Sequence, residues 1–404
     1  MSVPCLLHRA SPCAIDFAPL ELLILTMPHP NKKITLHWYN EGMTTYTNDF
    51  FRALAQDPDI DLLVHYRFRS QKSHPWKFSD SVGYKHRSFI HPTIIPDLRA
   101  LLSGLRPGKS YFIFSNSKGI TKRLLLLLMV LFRRRFAYNT DTLPGDYLTE
   151  PKGLLFRKFL LNFVNRFSDK ILTTGNCGVE QLQSLHAPQS KLVNFPYFIE
   201  IPPFDETVNP GARNNPKWKN FLGHDDFLFL CSGQYIKRKG FDIVIRALRR
   251  VIDKTENGNI KLLIAGEGAE RDNLEDLIRS LHLGRNVFLP GWLQPKEVKD
   301  FYPAGDVFVH MARLEPYGVV VLEAMAYGMP VIASTETMAG VDRIEDGVNG
   351  FIVDNENVDA LSEKMIRCVS HKNELAEIGN AARITAEEWP LSKGVQIIRK
   401  VVLS

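Results

Sequence analysis

The segment from Asp306 to Ser334 constrains the fold most strongly, and it reads DVFVHMARLEPYGVVVLEAMAYGMPVIAS. Its first five residues are mostly apolar and β-branched, which is typical of a strand that is buried on both faces. After a short polar break, the run that begins at Tyr317 predicts a helix, and Gly328 followed by Pro330 predicts where that helix ends. The residues VIAS then start another strand. The segment therefore predicts a strand–loop–helix–strand unit of a parallel α/β sheet.

This unit contains two glutamates, Glu315 at the predicted helix entrance and Glu323 two turns further on. On one continuous helix their Cα atoms would be about 12 Å apart and within about a quarter turn of each other. The helix start at Gly318 and Val319 offers backbone N–H groups and a positive dipole end, which suit a phosphate. An anion flanked by carboxylates that hold hydroxyls would suit a sugar nucleotide. The alternative is that Glu315 only begins the helix and Glu323 is a hydrogen-bonded structural acid, and spacing alone does not separate the two interpretations.

The residues EPYGVVVLEAMAYGMPVIAS resemble the signature of the retaining glycosyltransferases of family 4, which carry two glutamates at this separation. The resemblance extends upstream, in the family's order, through GQYIKRKGFDIVIRAL (233–248), LLIAGEGAERDNLEDLI (262–278) and NVFLPGW (286–292). It covers residues 225–355 closely and is only topological in the first half. It implies an α/β fold of two Rossmann-like domains facing a cleft, termed GT-B, with a C-terminal helix that crosses back to the first domain.

The resemblance also implies roles for individual residues. Glu315 is expected to hold hydroxyls of the donor sugar, Glu323 the ribose hydroxyls and Lys239 the diphosphate. Gly318 and Val319 are expected to supply helix-start N–H groups to the departing phosphate. Stabilising the charge of that leaving group would be the main catalytic contribution.

Two glycine-containing turns complete the expected donor site. The loop GQYIKRKG begins at Gly233 and would hold cations at the carboxyl end of a strand. Gln234 stands where the family has an arginine, so Lys237 or Arg238 is expected to substitute, or the grip on the phosphate is weaker. In the family, the turn at Gly266 edges the nucleotide cleft. That turn lacks the third glycine of a dinucleotide fingerprint, which argues against an NAD site.

The first half of the chain departs from the family in its first loop. Gly42 is present there, but Met43 takes the place of a second glycine that lets the backbone approach donor phosphates. The segment DPDID (57–61) has the spacing of a metal-binding Asp-x-Asp motif, yet it precedes a strand instead of following one. It is therefore predicted to be a surface loop, and no metal site is predicted.

The length of 404 residues predicts two or three domains. Residues 1–32 are expected to be a disordered extension, with translation starting at Met27. A first, acceptor-binding domain is predicted over 33–196 with 387–404 added to it, and a nucleotide-sugar domain over 217–386. A cluster of prolines marks the linker between them.

Composition limits the function classes. A charged fraction of 23% and a hydrophobic fraction of 45% indicate an ordinary soluble protein, and the five scattered cysteines are typical of reduced thiols in a cytosol. The net charge of +6 favours anionic ligands or an anionic membrane surface, and the absence of a basic-aromatic motif argues against nucleic acid.

Two segments of the first half raise the question of a membrane surface. The leucine run 124–132 has basic residues on both sides and is about half the ~20 residues that a spanning helix needs. The amphipathic segment 153–167 carries more leucine and phenylalanine than a core stripe requires. We expect 124–132 to pack on the first sheet and 153–167 to face a membrane.

These inferences combine into one functional expectation. The protein is expected to transfer a sugar from a UDP- or GDP-sugar to a hydroxyl with retention of configuration and without a metal. The acceptor would be a lipid-linked glycan or another carbohydrate in bacterial polysaccharide or lipopolysaccharide synthesis. The location would be the cytoplasm or the inner face of the plasma membrane. Two alternatives stay open, namely another enzyme on the same fold, such as an epimerase or a phosphorylase, and a catalytically silent binding subunit.

Overall fold

The computed structural model describes residues 33–68, 82–89, 96–105, 108–143, 153–203 and 211–404. The predicted extension 1–32 and the proposed start at Met27 lie outside these residues. Within them, Cys177, Cys231 and Cys368 are free thiols, two of which are buried.

The first domain alternates strands and helices in chain order. Its elements are β1 Ile34–Asn40, α1 Thr45–Leu54, β2 Ile60–Tyr66, β3 Lys85–Ser88, α2 Leu98–Leu105, β4 Ser110–Ser115, α3 Ile120–Leu131, β5 Phe136–Thr140, α4 Leu154–Phe167, β6 Lys170–Thr173, α5 Gly175–Ser184 and β7 Leu192–Asn194. The strands pair in parallel in the order β3-β2-β1-β4-β5-β6-β7. The helices α2, α3 and α4 contribute to the core on one face of this sheet, while α1 lies on the other.

The second domain repeats this construction. Its elements are β8 Phe227–Ser232, α6 Phe241–Thr255, β9 Ile260–Ala265, α7 Arg271–Ser280, β10 Val287–Gly291, α8 Pro295–Ala304, β11 Val307–His310, α9 Val319–Ala326, β12 Val331–Ser334, α10 Met338–Arg343, β13 Gly350–Val353, α11 Val358–Ser370 and α12 Lys372–Glu387. The strands are again parallel, in the order β10-β9-β8-β11-β12-β13. The order reverses between β8 and β11, and ligands of such sheets bind where the strand order reverses.

A last helix, α13 (Leu391–Leu403), returns to the first domain, as expected. Its Ile398, Val401 and Val402 are buried in the core that contains α1 and β1. The guanidinium of Arg399 donates to both carboxylate oxygens of Asp57 at 2.8 and 3.0 Å and also pairs with Asp59. The DPDID segment therefore joins the first domain to the returning helix, and Asp57 is buried there instead of lying in a solvated surface loop.

The leucine run in α3 packs on the first sheet, which confirms the prediction for its inner side. Leu125, Leu126 and Met129 are buried against that sheet. The α4 segment behaves differently, because Val164 is its only buried residue among those described. Leu160, Leu161 and Phe163 pack partly against the core, whereas Leu155, Phe156, Phe159 and Phe167 are exposed and available to another surface.

Candidate functional site

Glu315 lies in the loop between β11 and α9, at the entrance of the helix, as predicted. The helix begins two residues later than expected, at Val319, because Gly318 adopts a left-handed conformation at its N-cap with φ of 96°. The Glu315 backbone N–H donates to the Glu336 carbonyl at 2.9 Å, and its carbonyl accepts from Met338 at 3.2 Å. The backbone on both sides of the carboxylate is therefore held by the chain that follows β12.

Lys239 reaches this carboxylate from the loop after β8, the other strand at the point where the strand order reverses. The basic loop after β8 ends in a short 3-10 turn, and its Lys239 ammonium forms an ion pair with Glu315. Arg238 lies 3.4 Å from the same carboxylate oxygen. Gly240 makes this approach possible, because a Cβ atom there would lie 1.8 Å from the Met311 carbonyl oxygen. Close backbone contact between the two loops thus brings the predicted site residues Glu315, Lys239 and Arg238 together.

His310 is a member of this site that sequence reasoning missed. It is the last residue of β11, is buried, and places Nε2 at 3.7 Å from the Glu315 carboxylate. Burial alone would raise the pKa of Glu315, but His310 and the Lys239 ammonium hold that pKa well below its usual range. Burial lowers the pKa of His310 itself. A histidine at the end of a buried apolar strand was the available signal, because parallel strands present their ligand residues at that end.

The glycines of the predicted site shape the same region. A Cβ atom on Gly318 would lie 3.0 Å from Glu315 Cγ and 3.6 Å from His310 Nε2. A Cβ atom on Gly266 would lie 1.8 Å from the Gly233 carbonyl oxygen, while one on Gly233 would contact the Lys239 side chain at 3.4 Å. These positions let the two loops and the start of α9 approach each other closely. No side chain caps the start of α9, where Val319 is the first helical residue.

Glu323 occupies a separate part of the site. It lies in the second turn of α9 and accepts a hydrogen bond from the Tyr302 hydroxyl at 2.7 Å. Burial raises the pKa of Glu323 despite that bond. Tyr302, on α8, was missed because its partner is 21 residues away and on another element. The bond satisfies one carboxylate oxygen, so both the structural and the hydroxyl-binding interpretations of Glu323 are compatible with it.

Gly42 belongs to the first domain, where the neighbouring loop residues either pack in the core or form ion pairs. Met43 is buried in the first core at the position where the family has a second glycine. Glu41 accepts from the buried Lys122 ammonium at 2.9 Å and from Arg67 at 3.2 Å. Gly42 thus lies beside a charged structural cluster at the end of β1.

The two domains meet beside the loop that carries Glu315. The Asp342 carboxylate of α10 accepts from the Asn176 backbone N–H at 3.0 and 3.1 Å, at the start of α5. The Tyr317 ring lies 5.3 Å from the Tyr197 ring, and the Tyr197 hydroxyl donates to Asp141 at 2.9 Å. The first domain therefore presents a tyrosine and a carboxylate close to Glu315 and its loop.

Among the described residues, no three histidine, cysteine, aspartate or glutamate side chains are arranged so that they could hold a metal ion. None of the helices in the described ranges combines the length and apolar character needed to cross a bilayer.

Two parallel-sheet α/β domains in this arrangement define the GT-B fold of glycosyltransferases. The chain is similar to HepE of Anabaena in complex with UDP-glucose, with a TM-score of 0.73, 15% identity and coverage of 92% of this chain and 100% of that one. It is also similar to the lipopolysaccharide outer core galactosyltransferase WaaB in its apo form, with a TM-score of 0.67, 15% identity and coverage of 92% and 99%. At these identities the likeness establishes the fold.

Residues 212–385 match the family described as Glycosyl transferases group 1, so the second domain is a group 1 glycosyltransferase domain. An uncharacterized glycosyltransferase of Methanocaldococcus jannaschii is 29% identical over 230 residues, which are 56% of this chain and 56% of that protein. The lipopolysaccharide core biosynthesis glycosyltransferase LpsE of Rhizobium meliloti is 34% identical over 154 residues, which are 37% of this chain and 43% of that protein. The chain thus spans about half the length of the curated relatives that it matches.

Proposed function

We propose that this protein transfers a hexosyl group from a nucleoside diphosphate sugar, with UDP or GDP as the nucleotide, to a hydroxyl of a carbohydrate acceptor. The observation that carries the proposal is the ion pair between Lys239 and Glu315 beside the start of α9, where the strand order of the group 1 domain reverses. An anion at this place would meet an ammonium, a guanidinium from Arg238 and the positive end of a helix.

The negative and the positive groups of the site are proposed to bind different parts of the donor. Glu315 keeps its negative charge at neutral pH because its pKa is depressed, so it accepts hydrogen bonds from sugar hydroxyls. Lys239, Arg238 and the N–H groups of Val319 and its neighbour in the helix would stabilise the diphosphate as it leaves. In this scheme cations and a helix end balance the phosphate charge, and we propose that no divalent metal is needed.

The acceptor is the finer part of the proposal. LpsE acts in lipopolysaccharide core biosynthesis, and HepE was crystallised with UDP-glucose. By extension, we infer an acceptor that is a lipid-linked glycan presented at the inner face of the plasma membrane, with transfer that retains the anomeric configuration. We propose that Asp141 and Tyr197, which are hydrogen-bonded to each other beside the Tyr317 ring, contact the incoming hydroxyl.

Thermal-shift titration tests donor binding directly. UDP, GDP and their common sugar conjugates are screened, and a nucleotide at 100 times its dissociation constant should stabilise the native state by about 2.7 kcal/mol. Removing Lys239 alone would take the nearest cation away from the buried Glu315 charge, which can destabilise the fold. The test variant is therefore the double substitution Lys239→Ala with Glu315→Gln, and Lys254→Ala, an exposed residue of α6, is the matched control.

We expect the double variant to lose the shift and the control to retain it. A screen in which no nucleoside diphosphate stabilises the wild-type protein would refute the donor site. Retention is checked separately, because the one-bond coupling constant between C1 and H1 of the transferred sugar distinguishes the anomers. An anomer opposite to that of the donor would overturn the retaining mechanism and leave the transferase assignment intact.

A further inference from the structure

The outer side of α4 exposes a row of long apolar side chains. Leu155 is 85% exposed and Phe159 is 60% exposed, and Phe156 and Phe167 are also exposed. Since soluble proteins usually scatter such residues singly, a row along one helix indicates a contact surface. By contrast, the second domain exposes Ile384 on α12 and Val348 in a loop, on separate elements.

The neighbouring helices α2 and α3 extend this row into a surface. Leu98 and Leu102 are exposed on α2, and Leu127, Leu131 and Phe132 are exposed on α3 and at its end. The inner sides of α2, α3 and α4 share one core on the same face of the first sheet, so their outer sides lie in one layer. We call these side chains, together with the exposed apolar side chains of α4, the apolar face.

The charge around the apolar face has one sign. Residues 98–140 contain nine arginines and lysines with no aspartate or glutamate, and residues 153–168 add three more cations and again no acid. The whole chain carries only +6, so the remainder of the sequence is net acidic. The positive charge is therefore concentrated in the segments that contain α2, α3 and α4, where Lys122 is the exception because it is buried and pairs with Glu41.

Individual cations stand next to exposed rings. The Arg123 guanidinium lies 4.5 Å from the centroid of the Phe156 ring, and the Arg166 guanidinium lies 5.6 Å from that of Phe167. Lys118 and Lys158 are exposed nearby at the start of α3 and on α4. Apolar side chains flanked by long cationic ones suit the boundary between acyl chains and anionic headgroups.

We propose that the apolar face docks on the surface of an anionic lipid bilayer, with its leucine and phenylalanine side chains inserted at the headgroup boundary. A second copy of the chain fits less well, because two such faces would bring cations together without acidic partners. The proposal rests on the proposed function in one respect, namely that a lipid-linked acceptor explains why an acceptor domain would carry such a face. The docking itself depends only on the surface.

Flotation of the full chain with vesicles tests the docking. Vesicles of phosphatidylcholine are compared with vesicles containing increasing fractions of phosphatidylglycerol, at low and high salt. Binding should rise with the anionic fraction and fall with salt, because exposed charges are screened.

Two double variants, Leu155→Glu with Phe159→Glu and Lys118→Glu with Lys158→Glu, should each weaken binding by about tenfold or more. The matched controls, Ile384→Glu and Lys254→Glu in the second domain, should bind as the wild type does.

The proposal is overturned if the wild-type chain stays in the soluble fraction at low salt, or if both double variants float as it does. It is equally overturned if sedimentation shows a dimer that Leu155→Glu with Phe159→Glu dissociates, since a second copy would then cover the face. Nucleotide thermal shifts of the same variants separate the two proposals. Docking lost with nucleotide binding kept supports the face, whereas vesicle binding without any nucleotide shift would leave docking standing and remove the donor site.

Discussion

Breaking the contact between Asp342 and the start of α5 should open the cleft between the two domains. Asp342 is near the C-terminal end of α10, where the helix dipole disfavours a carboxylate. Its position is explained by the other domain, because the carboxylate accepts from the backbone N–H groups of Asn176 at 3.0 and 3.1 Å and Cys177 at 3.4 Å. Asp342 thus caps a helix that belongs to the opposite domain.

The size of the effect follows from the bonds that are lost. A hydrogen bond to a charged group contributes about 1.5–3 kcal/mol. Asp342→Ala removes that contribution from the closed arrangement only, so the ratio of closed to open molecules should fall about 10- to 100-fold. Gly175→Ala should act similarly from the other side, because φ at Gly175 is +73° and a Cβ atom there would lie 1.8 Å from Asp342 Oδ2.

Small-angle scattering and transfer kinetics measure this opening. We expect a larger radius of gyration and a lower kcat for Asp342→Ala, because Asp141 belongs to the first domain and Glu315 to the second. Affinity for the nucleotide should change little, since its proposed contacts lie within the second domain. Asp354→Ala, which removes an exposed carboxylate of the same domain, is the control. Unchanged scattering together with unchanged kcat in the Asp342→Ala protein would refute the reasoning.

The other predictions concern the donor site. Glu315→Gln should lower kcat far more than nucleotide affinity, as measured by steady-state kinetics and calorimetry, and equal small losses would contradict a sugar-binding role. Glu323→Ala should weaken nucleotide binding by roughly 1.5–3 kcal/mol in calorimetry, the size of a lost charged hydrogen bond; unaltered affinity would favour a structural role with Tyr302. Incubation with EDTA should leave the transfer rate unchanged, and a loss that magnesium or manganese restores would revive a metal mechanism. Since the pKa of Glu315 is depressed in the folded state, its stabilising contribution is complete above the ordinary carboxyl pKa of about 4.3 and declines at lower pH. Melting temperatures measured between neutral and acidic pH should therefore fall less steeply for Glu315→Gln than for the wild type.

Local patterns in the sequence predicted the elements of the second domain well. The strand predicted over 306–310 occurs at Val307–His310, and the strand predicted to start with VIAS occurs at Val331–Ser334. These elements are set by side-chain periodicity, N-caps and breakers, all of which act over a few residues. The start of α9 was predicted too early because the left-handed backbone at Gly318 depends on its packing against Glu315, Thr337 and His310.

The resemblance to the family pointed to Glu315 and Lys239 as site residues. Only the tertiary structure shows that their side chains form an ion pair, although they are 76 residues apart in the chain. The same holds for Arg399 with Asp57, 342 residues apart, which gives the DPDID segment a joining role that its spacing did not reveal. His310 and Asp342 were missed for the same reason.

The sequence alone therefore determined the α/β class, the parallel-sheet units and the strand–loop–helix–strand segment that carries Glu315 and Glu323, because each depends on short-range backbone preferences and burial patterns. The pairing of charges, the depressed pKa of Glu315 and the contact between the domains were decided by the tertiary structure. Electrostatic interactions depend on distance in space and on burial, and neither is encoded by the separation of residues along the chain.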